Sequence, residues 1–291
     1  MDRVVVGLDG SAAATAALRW AATVGEQAGW PVRALWAWKY PATAILPVGP
    51  SQLPSPEEVE RSLGEQGQTL LEEALGERAR IVTLQVARGP AAGVLLRAVE
   101  DGARMVVVGS RGLGGFEGVL LGSVSRHVAE HATCPVTVVH GGLPDIPDRL
   151  GRIVVGVDGS EGAQRALRFA GDFAAKTGAE LLVAGAASPG DLVQREHDLP
   201  HVDLEVQREL LWSWTAPLRE AGIEHDLVAL EGDARIVLPD LAAERSADLL
   251  IVGSRGLGPV GKLLLGSVAA SLIKYADRPV TIVPSGTDPE G

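Results

Sequence analysis

Glycine, serine and a strand-end carboxylate recur twice in this sequence at matched spacing. Gly109, Ser110, Arg111 and Gly112 are followed after nine residues by Gly122 and Ser123, and Gly253, Ser254, Arg255 and Gly256 are followed after nine by Gly266 and Ser267. Between 108–124 and 252–268, twelve of seventeen positions are identical, with the changes gathered in the middle. Bare glycine lets backbone N–H groups approach an anion, and a helix beginning at Gly-Ser would add positive potential; the chemistry suggested is phosphate binding. Asp9 and Asp158 each end an apolar run and could accept from hydroxyl and amino groups of a sugar or base. A glycine-rich loop can be only a tight connection. Two copies, each paired with an aspartate, favour binding over a plain turn.

Other patterns compete and are set aside. Residues 256–263 satisfy G-x-x-x-x-G-K with Lys262, but Leu263 stands where a metal-binding hydroxyl belongs, and the first copy has Glu117-Gly118 in place of Gly261-Lys262. Gly256, Gly258 and Gly261 also match G-x-G-x-x-G, a fingerprint that belongs after the first strand of a dinucleotide domain and not the fourth. His127, Glu130 and His131 spell H-x-x-E-H, yet the second half has Ser271 and Tyr275 at the histidine positions, so a solvated helix face is the better reading. His197 and His201 stand four apart with Pro200 between them, which favours a surface loop. No G-x-S-x-G elbow or nucleophile with a base recurs, and Cys134, the single cysteine, reads as a small apolar filler.

The elements that must position the repeated residues alternate between strand and helix. In the first half, strands are expected at 4–8, 32–38, 81–87, 105–108 and 135–140, with helices at 12–28, 57–80, 90–101 and 122–132. Residues 40–56 form a proline-studded loop of the kind that covers a site. The second half repeats the order, with strands at 153–157, 181–186, 224–230, 249–252 and 280–283 and helices from 161, around 206–219, at 234–245 and at 267–276. Alternation of this kind calls for a parallel sheet with helices on both faces. Such a sheet binds ligands beyond the carboxyl ends of its strands, where Asp9 and Gly109 would share a crevice if the first and fourth strands are neighbours. Trp36 and Trp38 fall on one face of the second strand and Trp212 and Trp214 near a helix; all are read as core or core-edge.

The whole chain supports a duplication. Arg3 to Ser11 is answered 149 residues later by Arg152 to Ser160, a period that fits two domains within 291 residues. The domains are placed at 1–140 and 152–285, with a glycine- and proline-containing linker at 141–151 and a tail at 286–291. Apolar residues make up 46% of the chain, enough for a core in each half, and no apolar run is long enough to span a membrane. The absence of a leader-like start implies a soluble, cytoplasmic protein. A formal charge of −11 argues against nucleic acid as a partner, so a nucleotide would be held by local backbone geometry.

At these residues the chain resembles the universal stress protein family, in particular its tandem-domain members. That family's ATP-binding signature is G-x-x-G, nine residues, then G-S or G-T, matched by Gly109, Gly112, Gly122 and Ser123 and again by Gly253, Gly256, Gly266 and Ser267. The resemblance implies that Asp9 and Asp158 contact the nucleotide and that Ala37 and Ala186 lie where the second strand meets adenine; Val124 and Val268 follow the Gly-Ser, and Arg111 and Arg255 are expected to add charge to the site. It implies a fold of two tandem Rossmann-like (adenine nucleotide alpha hydrolase-like) α/β domains. Each would have a five-stranded parallel sheet in the order 3-2-1-4-5, paired through the fifth strands as an intramolecular pseudo-dimer, with a homodimer of such chains as a further expectation. Arg104, where the second half has Asp248, is expected to have only a surface effect.

The leading expectation is an ATP-binding stress-response protein that senses or stores nucleotide and alters an interaction with a protein partner. The rival is a slow ATPase or phosphotransferase with Mg²⁺ bridged by the phosphates; no residue stands out as a general base. A third reading, an assembly module without nucleotide, is disfavoured by the two intact loops.

Overall fold

The structure is a computed structural model that describes residues 3–40, 54–113, 120–142, 146–188, 203–257 and 265–286. The centre of the 40–56 loop, Lys262 with its loop neighbours, Glu117-Gly118, the His197/His201 pair and most of the tail lie outside the described residues. In chain order the strands are β1 Val4–Leu8, β2 Val32–Trp38, β3 Val82–Arg88, β4 Met105–Gly109, β5 Val136–Val139, β6 Arg152–Gly156, β7 Glu180–Ala187, β8 Asp226–Glu231, β9 Leu249–Gly253 and β10 Val280–Val283. The α-helices are α1 Ala12–Ala28, α2 Pro56–Leu75, α3 Ala91–Glu100, α4 Ser123–His131, α5 Glu161–Thr177, α6 Leu204–Trp214, α7 Ala216–Glu220, α8 Ala234–Glu244 and α9 Ser267–Tyr275.

The ten strands form a single sheet in the order β3-β2-β1-β4-β5-β10-β9-β6-β7-β8. Read outward from the middle, each half has the order 3-2-1-4-5, with its strands parallel; β5 and β10 meet antiparallel at the centre. There the hydroxyls of Thr137 and Thr281, in register and fully buried, lie 2.8 Å apart. The β-branched runs Val4-Val5-Val6 and Met105–Val108 are buried on both faces because helices cover both sides of the sheet.

Two apolar layers result, and each runs through the junction between halves. On one face α1, α2, α5, α6 and α7 pack through Leu18, Trp20, Leu71, Phe173, Leu211 and Leu218; on the other α3, α4, α8 and α9 pack through Leu95, Val128, Leu238 and Leu272. Trp30 reaches across to Phe173, their ring centroids 5.9 Å apart. Tilted aromatic pairs of this kind bury large apolar area at the junction.

The connection between halves is anchored. The side-chain amide of Gln27 donates to the carbonyls of Leu150 and Thr177 and accepts from the Leu150 N–H at 2.7 Å, while Thr23 donates to the carbonyl of Pro147. Leu150 itself is fully buried. Asp248 accepts from the backbone N–H groups of Gly151 and Arg152, and Arg104 lies over the Trp30 ring at 4.8 Å. These two residues therefore do more than modify a surface: the carboxylate fixes the start of β6 and the guanidinium covers an aromatic at the junction. Their roles escape sequence comparison because the partners lie about a hundred and about seventy residues away in the chain.

Three local expectations change. The helix expected over 57–80 ends at Leu75, where Gly76 takes a positive φ of 56° and a 3-10 turn carries the chain to Ile81. The helix around 206–219 is two, broken at Thr215 because Pro217 brings no N–H to continue the ladder. Trp212 is 59% exposed, not core, with the Arg219 guanidinium 3.8 Å above its ring. Among the described residues no helix is long and apolar enough to cross a membrane.

Candidate nucleotide site

β1 ends at Leu8, and Asp9-Gly10-Ser11 turns the chain into α1. Gly10 adopts φ 83°, Ser11 caps the helix by accepting from the Ala14 N–H, and Asp9 Oδ1 accepts from the Ser11 N–H at 2.9 Å. The other carboxylate oxygen, Asp9 Oδ2, accepts from the Leu113 N–H at 3.1 Å. Asp9 thus clasps the start of the glycine loop to the end of the neighbouring strand. The second half repeats this: Asp158 Oδ1 accepts from Ser160 at 2.9 Å and Oδ2 from Leu257 at 3.1 Å.

The glycines at the loop starts are needed for space. A Cβ on Gly109 would lie 2.6 Å from the Ala13 carbonyl carbon, and one on Gly253 2.7 Å from the corresponding atom of Gly162, so both positions let β4 and β9 pass against the first turn of a helix. A Cβ on Gly112 would lie 2.2 Å from Asp9 Oδ2, and one on Gly256 2.3 Å from Asp158 Oδ2. Arg111 and Arg255 are exposed, and the Arg111 carbonyl accepts from the Ser11 hydroxyl. Where the chain enters α4 and α9, the N–H of Gly122 donates to Ser110 O and that of Gly266 to Ser254 O, both at 2.7 Å. The two ends of the loop are thereby closed onto each other.

Gly122 and Gly266 are the N-caps of α4 and α9 and supply no side-chain oxygen to the first-turn N–H groups, whereas Ser11 and Ser160 cap α1 and α5. Uncapped donors at a helix start are an anion-binding feature. Ser123 and Ser267 occupy the first helical positions, with Val124 and Val268 next.

A cavity of about 490 Å³ opens beside α4. Ala37, Ser123 and Val124 line it, so three of the expected residues from two distant segments do come together. Asp9, Gly109, Arg111, Gly112 and Gly122 lie along the adjoining loop and do not line the cavity itself. In the second half Ala186 is on β7, whose partner β6 leads to Asp158, placing it as Ala37 is placed relative to Asp9. The wall of the first cavity also includes Lys39, Pro90, Arg126, His127 and Glu130, which were not expected there. The cue available for Pro90 was its position at a helix start after a strand; for Lys39 and Arg126 the sequence carried none.

His127, Glu130 and His131 project from α4 with one donor atom of each within 4.8 Å of the others. Elsewhere, Trp36 reaches to within 3.6 Å of a Cβ built on Gly10, and Trp214 to within 2.5 Å of one on Gly159. The two Asp-Gly-Ser turns are thus covered by tryptophans from non-equivalent elements, a strand in one half and a helix in the other. Cys134 is buried, which pushes its thiol up to about 12 and leaves it a packing residue.

The model of the universal stress protein family matches residues 1–140 and again 150–284. The chain belongs to the universal stress protein family. Similar relatives include a universal stress protein of Mycolicibacterium smegmatis, 31% identical over 290 residues that cover 96% of both chains. Another, from Mycobacterium tuberculosis, is 30% identical over 304 residues, covering 96% of this chain and 95% of its own. A crystal structure of a universal stress protein from Archaeoglobus fulgidus is 23% identical, covers 98% of both chains and has a TM-score of 0.68, which bears on the fold. The tandem organisation therefore extends over the length of these universal stress proteins.

Proposed function

We propose that each half of this universal stress protein binds an adenine nucleotide, ATP foremost, and that occupancy alters the interaction of a cytoplasmic protein with a partner. The observation that carries the reading is the meeting of Ala37, Ser123 and Val124 around the cavity at the uncapped start of α4, next to a glycine loop clasped by Asp9. A cavity of about 490 Å³ is of a size that ordinary small-molecule ligands occupy. In this reading the base lies toward Ala37 and Val124, the phosphates lie toward Ser123 and the N–H groups beyond Gly122, and Arg111 contributes charge from the exposed loop. Asp9 acts first by shaping the loop, since both its carboxylate oxygens are engaged with backbone N–H groups. Asp158, Ala186, Gly253, Arg255, Gly256, Gly266, Ser267 and Val268 take the same roles in the second half.

Binding by preformed backbone donors suits retention of a nucleotide, and Mg²⁺ would be carried between its phosphates. The test is nucleotide extraction from the purified chain together with ATP calorimetry and turnover assays, with and without Mg²⁺, on the unmodified protein and on Ser123→Ala with Ser267→Ala. The serines are chosen because Gly109→Ala would drive a methyl into α1 and confuse packing with binding. We expect two sites per chain and at least tenfold weaker binding in the double variant. No measurable ATP affinity in the unmodified chain would overturn the proposal, and turnover well above background that the double variant loses would replace it with a slow ATPase. Sedimentation of the loaded and empty chain tests a homodimer.

A further inference from the structure

α4 carries a second constellation that the nucleotide reading does not use. His127, Glu130 and His131 stand at i, i+3 and i+4, which places them on one helix face. One donor atom of each lies within 4.8 Å of the other two, and the imidazoles of His127 and His131 stack with centroids 4.1 Å apart. Ligands about 2.1 Å from a shared tetrahedral ion stand about 3.4 Å apart, so the two rings must turn out of their stack and bring their donor atoms more than about 1 Å closer to share it. Both histidines are exposed and free to turn.

The tautomer is already set at one of them. His131 Nδ1 lies 2.8 Å from the carbonyl oxygen of His127. A carbonyl can only accept, so Nδ1 carries a proton, and in the neutral ring Nε2 then presents the lone pair, which is how metal-binding histidines are oriented by a backbone acceptor. Arg126 approaches Glu130 at 3.9 Å, a long contact between a largely exposed guanidinium and the carboxylate. A contact this long, with its guanidinium largely in solvent, contributes little even though Glu130 is half-buried.

We propose that His127, Glu130 and His131 form a binding site for a divalent transition metal of the zinc class beside the first-half cavity, a cluster that occurs once among the described residues. Two imidazoles and a carboxylate are a borderline donor set that suits Zn²⁺, Co²⁺ or Ni²⁺ over Ca²⁺ or Mg²⁺, and the exposed position leaves room for water as the remaining ligand. The second half supplies an internal contrast. Ser271, Lys274 and Tyr275 occupy the matching positions of α9, and the Lys274 ammonium sits 4.8 Å over the Tyr275 ring, a cation where the first half has its carboxylate.

The test uses the full chain without a polyhistidine tag, titrated with Zn²⁺ against a fluorescent chelator and with Co²⁺ followed by its visible absorption bands. We expect one ion per chain, at least tenfold weaker binding in His127→Ala and in His131→Ala, and a severalfold loss with a changed cobalt spectrum in Glu130→Gln. The variants should keep the thermal midpoint of the parent without metal, which certifies their folding. His197→Ala with His201→Ala should leave the tight site intact. Failure of the parent chain to bind Zn²⁺ or Co²⁺ at 100-fold excess over protein overturns the proposal, as does tight binding that survives loss of both His127 and His131.

Discussion

Gly112 and Asp9 show how a binding loop can be fixed by a single atom-to-atom exclusion. The N–H of Leu113 reaches Asp9 Oδ2 only because residue 112 has no Cβ, and the same exclusion operates between Gly256 and Asp158. Gly112→Ala should displace the carboxylate and open the loop, at a cost of about 1 kcal/mol, the scale of one lost hydrogen bond at a partly solvated site. Its larger effect should be functional: calorimetry should count one ATP per chain where the parent counts two, with Gly256→Ala behaving alike and the double variant binding none. An unchanged count of two would show that the clasp is not required for binding. The spacing of these residues was legible in the sequence, because each glycine and its aspartate recur in both halves. Their division of labour was not: sequence alone cannot distinguish a glycine that clears a helix backbone, as Gly109 does, from one that clears a carboxylate, as Gly112 does.

At the scale of elements, the seam between β5 and β10 is the decisive contact. Burying two hydroxyls between antiparallel strands is tolerable because Thr137 and Thr281 satisfy each other. Thr137→Val should therefore strand the Thr281 hydroxyl and destabilise the chain by about 1–3 kcal/mol, while Thr137→Val with Thr281→Val should recover most of that loss. Chemical denaturation of the two single variants and the double variant measures the coupling; additive losses would mean the hydroxyl pair does not act as a unit. Most strands and helices were legible because apolar runs of β-branched residues and serine-capped starts are local signals. The misread ends share a cause. Gly76 and Pro217 terminate helices through backbone conformation and a missing donor, against an apolar pattern that continues past them. The exposure of Trp212, and the junction roles of Arg104 and Asp248, depend on partners that no local pattern announces.

At the scale of the molecule, the two halves share one sheet and two continuous apolar layers, so the parts at the junction should report on its stability. His140 follows β5, and among the described residues its buried ring nitrogens make no hydrogen bond of good geometry, only weaker approaches to the backbone of Ile273 and Lys274. Burial, the main influence, holds its pKa below the ordinary value of 6.5, with Arg111 acting in the same direction and the backbone of Ile273 and Lys274 and the Asp277 carboxylate opposing. As the pH falls through 6.5 the unfolded chain takes up this proton before the folded chain does, so stability present at pH 7 and above is lost progressively toward pH 5. Thermal midpoints at pH 7.5 and 5.0 should fall further apart in the parent than in His140→Asn; equal spreads would remove His140 from the account. The antiparallel meeting of β5 and β10 also has an evolutionary meaning. In a dimer of identical chains every substitution is inherited twice, once on each side of the axis, and the sides cannot diverge. With Thr137 and Thr281 separately encoded, the axis survives as geometry while heredity no longer enforces it. A carboxylate at Glu130 and an ammonium at Lys274 can then be selected independently within one shared sheet.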